Sequence, residues 1–355
     1  MMTLRFKSGL VFLLFLVSTV TLWAQSEKKK EIIKTFDVDS DTELVISNKY
    51  GDIHINSWEK NVIDVKVTVT AKKRSESRAL EALEKVHIDI SESIGRIEFE
   101  TEISGNLSNR NGERITIDYV VNMPKSNNLY VKNAYGNLFI DDLDGDVYMR
   151  ISYGNMKVGK LNGETEFKLS YGNGEIDLIK NGELSVGYSN LDVEEAGNIE
   201  LTSHYSNVDI RISNDISLTS KYDNLKIGDV HTLKGNSKYG KVNINRLYST
   251  LVLDLSYGSG VDVAWISRDF IWIDIDASYA GSSLYFEEGF GAELEGYFKY
   301  CDLKYPKNEN FDFSYINKQK SSSEYKGKIG SGTGKAKIRL RSKYANVRVG
   351  YSSLH

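Results

Sequence analysis

Apolar and polar residues alternate along most of this 355-residue chain, and the alternation changes phase at regular intervals. Two, four and six residues before certain tyrosines the side chains are mostly apolar. Before Tyr153 they are Ile151, Met149 and Val147, and before Tyr257 they are Leu255, Leu253 and Leu251. Before Tyr222 the set is Ser220, Leu218 and Ile216. A period of two predicts a strand with one buried face. Beyond the tyrosine the apolar positions fall three and five residues on, as at Met156 and Val158, Leu191 and Val193, Val208 and Ile210, Leu225 and Ile227, and Val347 and Val349. A period of two cannot change parity within a straight strand, so a bend must separate the two runs.

The tyrosines at that bend recur almost evenly. Tyr135, Tyr153, Tyr171, Tyr188, Tyr205, Tyr222, Tyr239 and Tyr257 are spaced by 18, 18, 17, 17, 17, 17 and 18 residues, and Tyr279, Tyr300 and Tyr344 follow after 22, 21 and 44. A fixed period of this length marks a solenoid, whose repeats bury their apolar faces only against one another. Each tyrosine shares parity with the buried residues before it, which predicts one column of stacked rings packed coil on coil. The next residue is small (Gly136, Gly154, Gly172, Ser189, Ser206, Asp223, Gly240, Gly258, Ala280, Cys301, Ala345), and the one after is usually asparagine (Asn137, Asn155, Asn173, Asn190, Asn207, Asn224, Asn346). Both kinds tolerate left-handed backbone angles, so the bend is expected at these two positions. Stacked asparagine amides are also expected to bond along the axis. Tyr171 and Tyr257 are followed by one extra residue, with Gly174 and Gly260 inside a bulge.

A second turn is predicted between coils, where Leu143-Asp144-Gly145-Asp146 aligns at an offset of 18 with Leu161-Asn162-Gly163-Glu164, and Asn181-Gly182-Glu183 follows one residue out of step. Roughly eleven coils stacked ~4.8 Å apart make a rod of about 50 Å. The two prolines, Pro124 and Pro306, fall outside the regular run, as continuous ladders require. The expected fold is therefore all-β: a single-chain, right-handed β-solenoid of 17–22-residue coils occupying residues 129–355.

Residues 25–128 read as an irregular N-terminal β cap. Strands are expected at Thr35–Ile46, Ile53–Asn56, Val62–Thr70, Val86–Ile90, Arg96–Ile103 and Arg114–Asn122, with the corner motif already present once at Tyr50-Gly51-Asp52-Ile53. Ser75 to Lys85 predicts a short helix with Ser75 or Ser77 as N-cap and Leu80 and Leu83 on its apolar face. At the other end, the Ser-, Gly- and Lys-rich stretch Asn317 to Lys335 reads as a mobile loop ahead of a closing strand, Ala336–Arg341.

Residues 1–24 read as a secretory signal peptide: Arg5 and Lys7, an apolar core from Leu10 to Val17, and Ala24 before a cut at Gln25. The apolar part is short for a retained membrane anchor, and no later segment predicts a transmembrane helix. The implied destination is the periplasm or cell surface of a Gram-negative-type bacterium. Without Arg5 and Lys7 the mature chain holds 43 basic and 49 acidic residues, a formal net charge of −6, which argues against nucleic acid as a partner. Cys301 is the only cysteine and sits at the small corner position, which predicts packing rather than reactivity.

Candidate chemistry is sparse. The five histidines, His54, His87, His204, His231 and His355, lack metal-ligand spacing. Asp141, Asp142, Asp144 and Asp146 suggest a calcium loop, but the glycine is misplaced for an EF-hand and the segment aligns with an ordinary repeat turn. Gly330, Gly332 and Gly334 lack the strand and helix of a nucleotide loop, and no nucleophile elbow occurs. No catalytic residue, cofactor or metal is predicted. Four residues after successive tyrosines come Phe139, Lys157, Asp192, Asp209, Lys226 and Asn243, skipping the bulged coil. They read as solvated rungs of mixed sign rather than the carboxylate groove of a polysaccharide-cleaving solenoid. The densest aromatics outside the repeat lie between Ala280 and Pro306. Phe298 and Tyr300 are expected to face the core, and Tyr285 and Phe290 to form an exposed binding surface.

The apparent signal, the repeated Tyr-Gly-Asn-apolar-x-apolar element and the early strand ending Val120-Val121-Asn122-Met123-Pro124 resemble the bacterial putative-adhesin family, related to the head-GIN-type putative adhesins. The resemblance spans roughly Thr35 to Gly350 and departs from the pattern at the long coils after Tyr257 and in Asn317–Lys335. It implies an exported β-solenoid domain of unknown function with no catalytic residues to carry over. The function expected on this footing is a non-enzymatic, adhesin-like scaffold that binds glycan or cell-envelope protein. The alternative is a carbohydrate-active β-helix enzyme, a polysaccharide lyase or hydrolase.

Overall fold

The bend that the phase change demands is made by the tyrosine itself. In the computed structural model, which describes residues 26–105 and 112–354, all twelve corner tyrosines, Tyr50 included, have φ between 52° and 64°. The left-handed angle therefore does not fall on the glycine or asparagine that follows. Glycine is needed there because coils approach closely: a Cβ on Gly154 would lie 1.9 Å from the Gly136 carbonyl oxygen, and one on Gly172 1.8 Å from that of Gly154. Where the position is serine or aspartate, the side chain instead accepts the backbone N–H of the neighbouring coil. Gly172 donates to Ser189 Oγ at 3.2 Å, Ser189 to Ser206 Oγ at 3.2 Å, and Ser206 to Asp223 Oδ1 at 2.8 Å.

The left-handed residue also breaks the alternation of faces, so parity does not carry the tyrosine ring inward. The rings form the expected column, but on the outside: eleven of them are 39–55 % exposed. Tyr300, expected in the core, is one of these, whereas Phe298 is fully buried as expected.

Between tyrosines the chain runs as parallel strand, exemplified by Met156–Ser170, Asn173–Gly187, Asn190–His204, Asn207–Lys221 and Asn224–Lys238. Equivalent residues stack in register, so that Asn190, Asn207 and Asn224 lie opposite one another. The predicted second turn does separate Leu138–Ile140 from Val147–Ser152 around residues 143–146, but in the next coil it is only a kink in the ladder. Pairing breaks between Leu161 and Glu164 and resumes immediately. No bulge follows Tyr171 either: Gly174 is buried and in register with Met156 and Leu191, occupying a core position. The bulge after Tyr257 is present, with Gly260 at φ 84° opposite Lys241. Inside, columns such as Leu191, Val208, Leu225 and Val242 are all buried, each worth about 1.5–3 kcal/mol relative to exposure.

The stack begins within the N-terminal region. Glu43–Lys49 and Ile53–Trp58, either side of Tyr50, pair in parallel with Asn128–Ala134 and Leu138–Ile140. Arg96–Ile103 and Arg114–Pro124 continue the stack outward, and Val86–Ser93, Val62–Lys73 and Ser26–Asp37 close it by antiparallel pairing. The single strand expected over Thr35–Ile46 is thus two, ending at Asp37 and restarting at Glu43. The helix spans Glu76–Glu84 with Ser75 as N-cap, and it buries Ala79, Ala82 and Leu83. Leu80, expected on the buried face, is exposed because that face is centred a residue away.

At the far end the coil order departs from the chain order. Ala336–Lys343 lies between Trp272–Ser278 and Gly291–Lys299, parallel to both. Val347–Tyr351 likewise lies between Ser282–Phe286 and Leu303–Lys304. The ring column follows suit: Tyr344 is stacked 4.4 Å from Tyr279 and 5.1 Å from Tyr300. Charge favours this insertion. Lys337, Arg339 and Arg341 face outward between Asp274 and Asp276 on one side and Glu293 and Glu295 on the other. Arg339 bonds Asp274 and Arg341 bonds Asp276, each through Nε at 2.9 Å. Juxtaposing the two acidic strands directly would set like charges opposite each other.

The stretch read as a mobile loop is mostly strand. Ser322–Gly330 pairs antiparallel with Gly291–Lys299, and Phe311–Lys318 pairs outside it. Its polar composition reflects an end strand with one wet face, not a free segment. Residues 1–24, read as a signal peptide, lie outside the described residues. No described helix is long and apolar enough to cross a membrane.

Candidate binding surface

Three surface features carry possible chemistry: the tyrosine column, a carboxylate row after the corner, and a groove at the C-terminal end. In the column, successive ring centroids from Tyr50 to Tyr300 lie 4.4–5.4 Å apart with interplanar angles of 2–17°. Each ring between the two end ones, Tyr50 and Tyr300, spends both faces on its neighbours, leaving edges and hydroxyls to solvent. The adjoining asparagines form the predicted ladder: Asn173 bonds Asn155, Asn190 bonds Asn173 and Asn207 bonds Asn190, each at 2.8 Å. A second amide ladder runs through Asn181, Asn198 and Asn214 at the kink. Column and ladders are therefore occupied with themselves.

The carboxylate row was hidden by the misread bulge. With Gly174 in register, Glu175, Asp192 and Asp209 lie opposite one another on three successive rungs. Partial burial, then Asp209 and then Glu175, raise the Asp192 carboxyl above its ordinary value. Lys157 approaches Glu175 and Lys226 approaches Asp209, both at 3.9 Å, so each end of the row is neutralised and Asp192 is left in the middle. Among the described residues, no cluster of three or more His, Cys, Asp or Glu side chains is arranged to hold a metal ion.

The row leads into a groove of about 990 Å³. Among the residues lining it are Asn243, Asn245, Asp262, Ser283, Tyr285 and Arg348. Tyr285 pairs with Gly350, and a Cβ at that glycine would come within 3.4 Å of the ring, so glycine lets the ring lie against the sheet. The closing wall is the segment after Tyr351. Ser352 donates its N–H to the Phe286 carbonyl and its hydroxyl to the Ala264 carbonyl, at 2.8 and 2.7 Å, which brings Ser353 and Leu354 over the groove.

Of the two predicted surface aromatics, only Tyr285 is at this site. Phe290 is fully buried, stacked on Phe286 at 4.4 Å. It follows the turn at Glu287–Gly289 and fills the end of the core, so it cannot meet a partner. The sequence does not single out Arg348 or Ser283 and reads Asn243 only as a solvated rung, since only the coil register brings them beside Tyr285. Cys301 is half-buried and its thiol contacts the Ser342 carbonyl at 3.3 Å, consistent with packing. Asp302, the next residue, is a polar hub. Partial burial opposes its ionisation, but bonds from Lys318, Tyr325, Ser323 and the Leu303 N–H prevail and hold the carboxyl at about 2.

These features define a parallel β-solenoid capped at both ends, with a rigid decorated surface. No family model and no curated protein matches the chain. Solved structures similar to it include a putative cell adhesion protein from Clostridium sporogenes, at 12 % identity over 91 % of this chain and 100 % of that one, TM-score 0.21. A putative adhesin from Bacteroides fragilis is similar at 11 % identity over 90 % and 97 %, TM-score 0.24. A putative lipid binding protein from Parabacteroides distasonis is similar at 11 % over 72 % and 92 %, TM-score 0.31.

Proposed function

We propose that the protein is a non-enzymatic, adhesin-like scaffold that presents the groove beside Tyr285 to a glycan or protein of the cell envelope. The observation that carries this reading is the convergence, in one concave site, of a half-buried aromatic, two asparagines, a serine and Arg348 on rungs of a stiff stack. Ligand sites combine a shaped hollow with a few fixed polar groups in this way. Rigid rungs hold those groups without an ordering cost on binding. The test is a glycan array and an envelope-extract pull-down with wild type and Tyr285→Ala. The expected result is loss of at least most of the bound signal with an unchanged thermal melt. Unchanged binding by the folded variant would move the site elsewhere.

A second reading has one observation behind it. The row Glu175–Asp192–Asp209, with a carboxyl raised at its centre, has the composition of a hydrolase or lyase site. Only Asp209 of the three lines the groove, and the salt bridges at both ends favour a structural role. Polysaccharide turnover abolished by Asp192→Asn would establish the enzyme instead.

A further inference from the structure

The two ends of the solenoid treat their free strand edges differently. At the N-terminal end the outermost strand, Ser26–Asp37, pairs only with Val62–Lys73 among the described residues and carries Lys28, Lys29, Lys30 and Lys34. Lysines on an edge discourage further strand addition. At the C-terminal end the outermost strand, Phe311–Lys318, pairs only with Ser322–Gly330 among the described residues. Its sequence, FDFSYINK, is β-prone and electrically neutral, with no lysine before its last position. Tyr315 and Ile316 are 44 % and 46 % exposed on it. One end is thus protected by lysines along its edge, whereas the other is regular and free of charge from Tyr315 to Asn317, after the register shift that follows Asp312.

The open strand is also complementary to itself. Antiparallel pairing of two copies about Tyr315 would set Tyr315 opposite Tyr315, and the one-residue register shift between Asp312 and Tyr315 would bring Asp312 of each beside Asn317 and Lys318 of the other. Opposite charges and aromatic pairs across an antiparallel ladder both stabilise it. Lys318 already meets Asp302 at 2.7 Å, but an ammonium has three donors, and this side chain is 54 % exposed. We propose that Phe311–Lys318 is the interface of a two-fold dimer in which two copies of this chain join their C-terminal ends by antiparallel strand pairing. The contact is isologous and closes on itself, so it gives a dimer and not a fibre. The two grooves beside Tyr285 would then sit on one continuous rod, engaging a repeating surface with two sites.

The test uses the full chain carrying Cys301→Ala, a residue already present at the equivalent corner positions 280 and 345. In this background Tyr315→Cys places one thiol per copy on the two-fold axis, where facing Cα atoms lie about 4.5–5.5 Å apart, within disulfide reach. The expected result is a dimer by light scattering at tens of micromolar and a disulfide-linked dimer on mild oxidation. Ile33→Cys, on the protected edge, should give none. Tyr315→Lys should shift the mass to monomer with its denaturation midpoint retained. A wild-type monomer at that concentration would overturn the proposal. So would a head-to-tail series of masses, or a dimer that survives Tyr315→Lys and does not cross-link through position 315.

Discussion

At Tyr188 two opposing contributions meet. A left-handed backbone costs a side-chain-bearing residue ~1–2 kcal/mol, while each stacked ring contact returns ~0.5–1.5 kcal/mol. Asparagine would adopt the angle more cheaply but cannot stack, which explains why the position is tyrosine twelve times over. Tyr188→Ala should therefore destabilise by about 1–3 kcal/mol, since it loses rings on both sides and keeps the strain. Tyr188→Gly should cost about 1 kcal/mol less because glycine carries no such strain. Urea unfolding of both variants decides this, and an alanine variant as stable as the glycine one would refute it. At Asp192 the sign is opposite to that of an ordinary paired carboxylate. Its folded value is raised, so its ionised form weakens the fold above that value and not below the unfolded one. Asp192→Asn should raise the melting temperature at pH 7 and leave it unchanged near pH 3. The tyrosine spacing was plain in the sequence. The left-handed angle was not, because propensity assigns such angles to glycine and asparagine and stacking across coils overrides it.

Elements obey the same logic, with charge in place of strain. The C-terminal cap hangs on Asp302, which joins Lys318, Ser323 and Tyr325. Its folded value of about 2 lies below the ordinary carboxylate range. The stability it contributes is full above the unfolded value and is lost as pH falls from about 4 toward 2. Hydrogen exchange should show residues 311–330 losing protection in that window before the central coils do, and Asp302→Asn should abolish the difference. Deleting residues from Ser322–Gly330 should destabilise the protein, contrary to what its composition suggests. End strands escape sequence reading because one of their faces is wet and their partners are antiparallel and local. The central strands, buried by strict alternation, were placed from pattern alone. The carboxylate row illustrates the sensitivity of such reading: one misplaced residue at Gly174 removed Glu175 from the column it belongs to.

The molecule as a whole is a stack whose neighbours are mostly consecutive in sequence, with one exception at each end: the coil of Tyr50 lies between residues 96–124 and 128–140, and residues 336–351 lie between earlier coils. Phe290→Ala, in the terminal core, should cost about 3–5 kcal/mol, and the loss should be confined to the coils of Tyr279, Tyr344 and Tyr300, because stability in a solenoid is largely nearest-neighbour. Limited proteolysis that released only that end would bear this out, and a uniform loss would not. The C-terminal exception has a temporal consequence. Strands Ala336–Lys343 and Val347–Tyr351 belong between coils that leave the ribosome before them, so growth of the stack in order of synthesis stalls at the coil of Tyr279. Until residues 336–351 arrive, the acidic strands bearing Asp274 and Glu293 face an empty slot. The segment made last among the described coils therefore acts as a keystone, and a chain arrested before Ala336 would hold a finished body with an unlatched end, recognisable to proteases as incomplete.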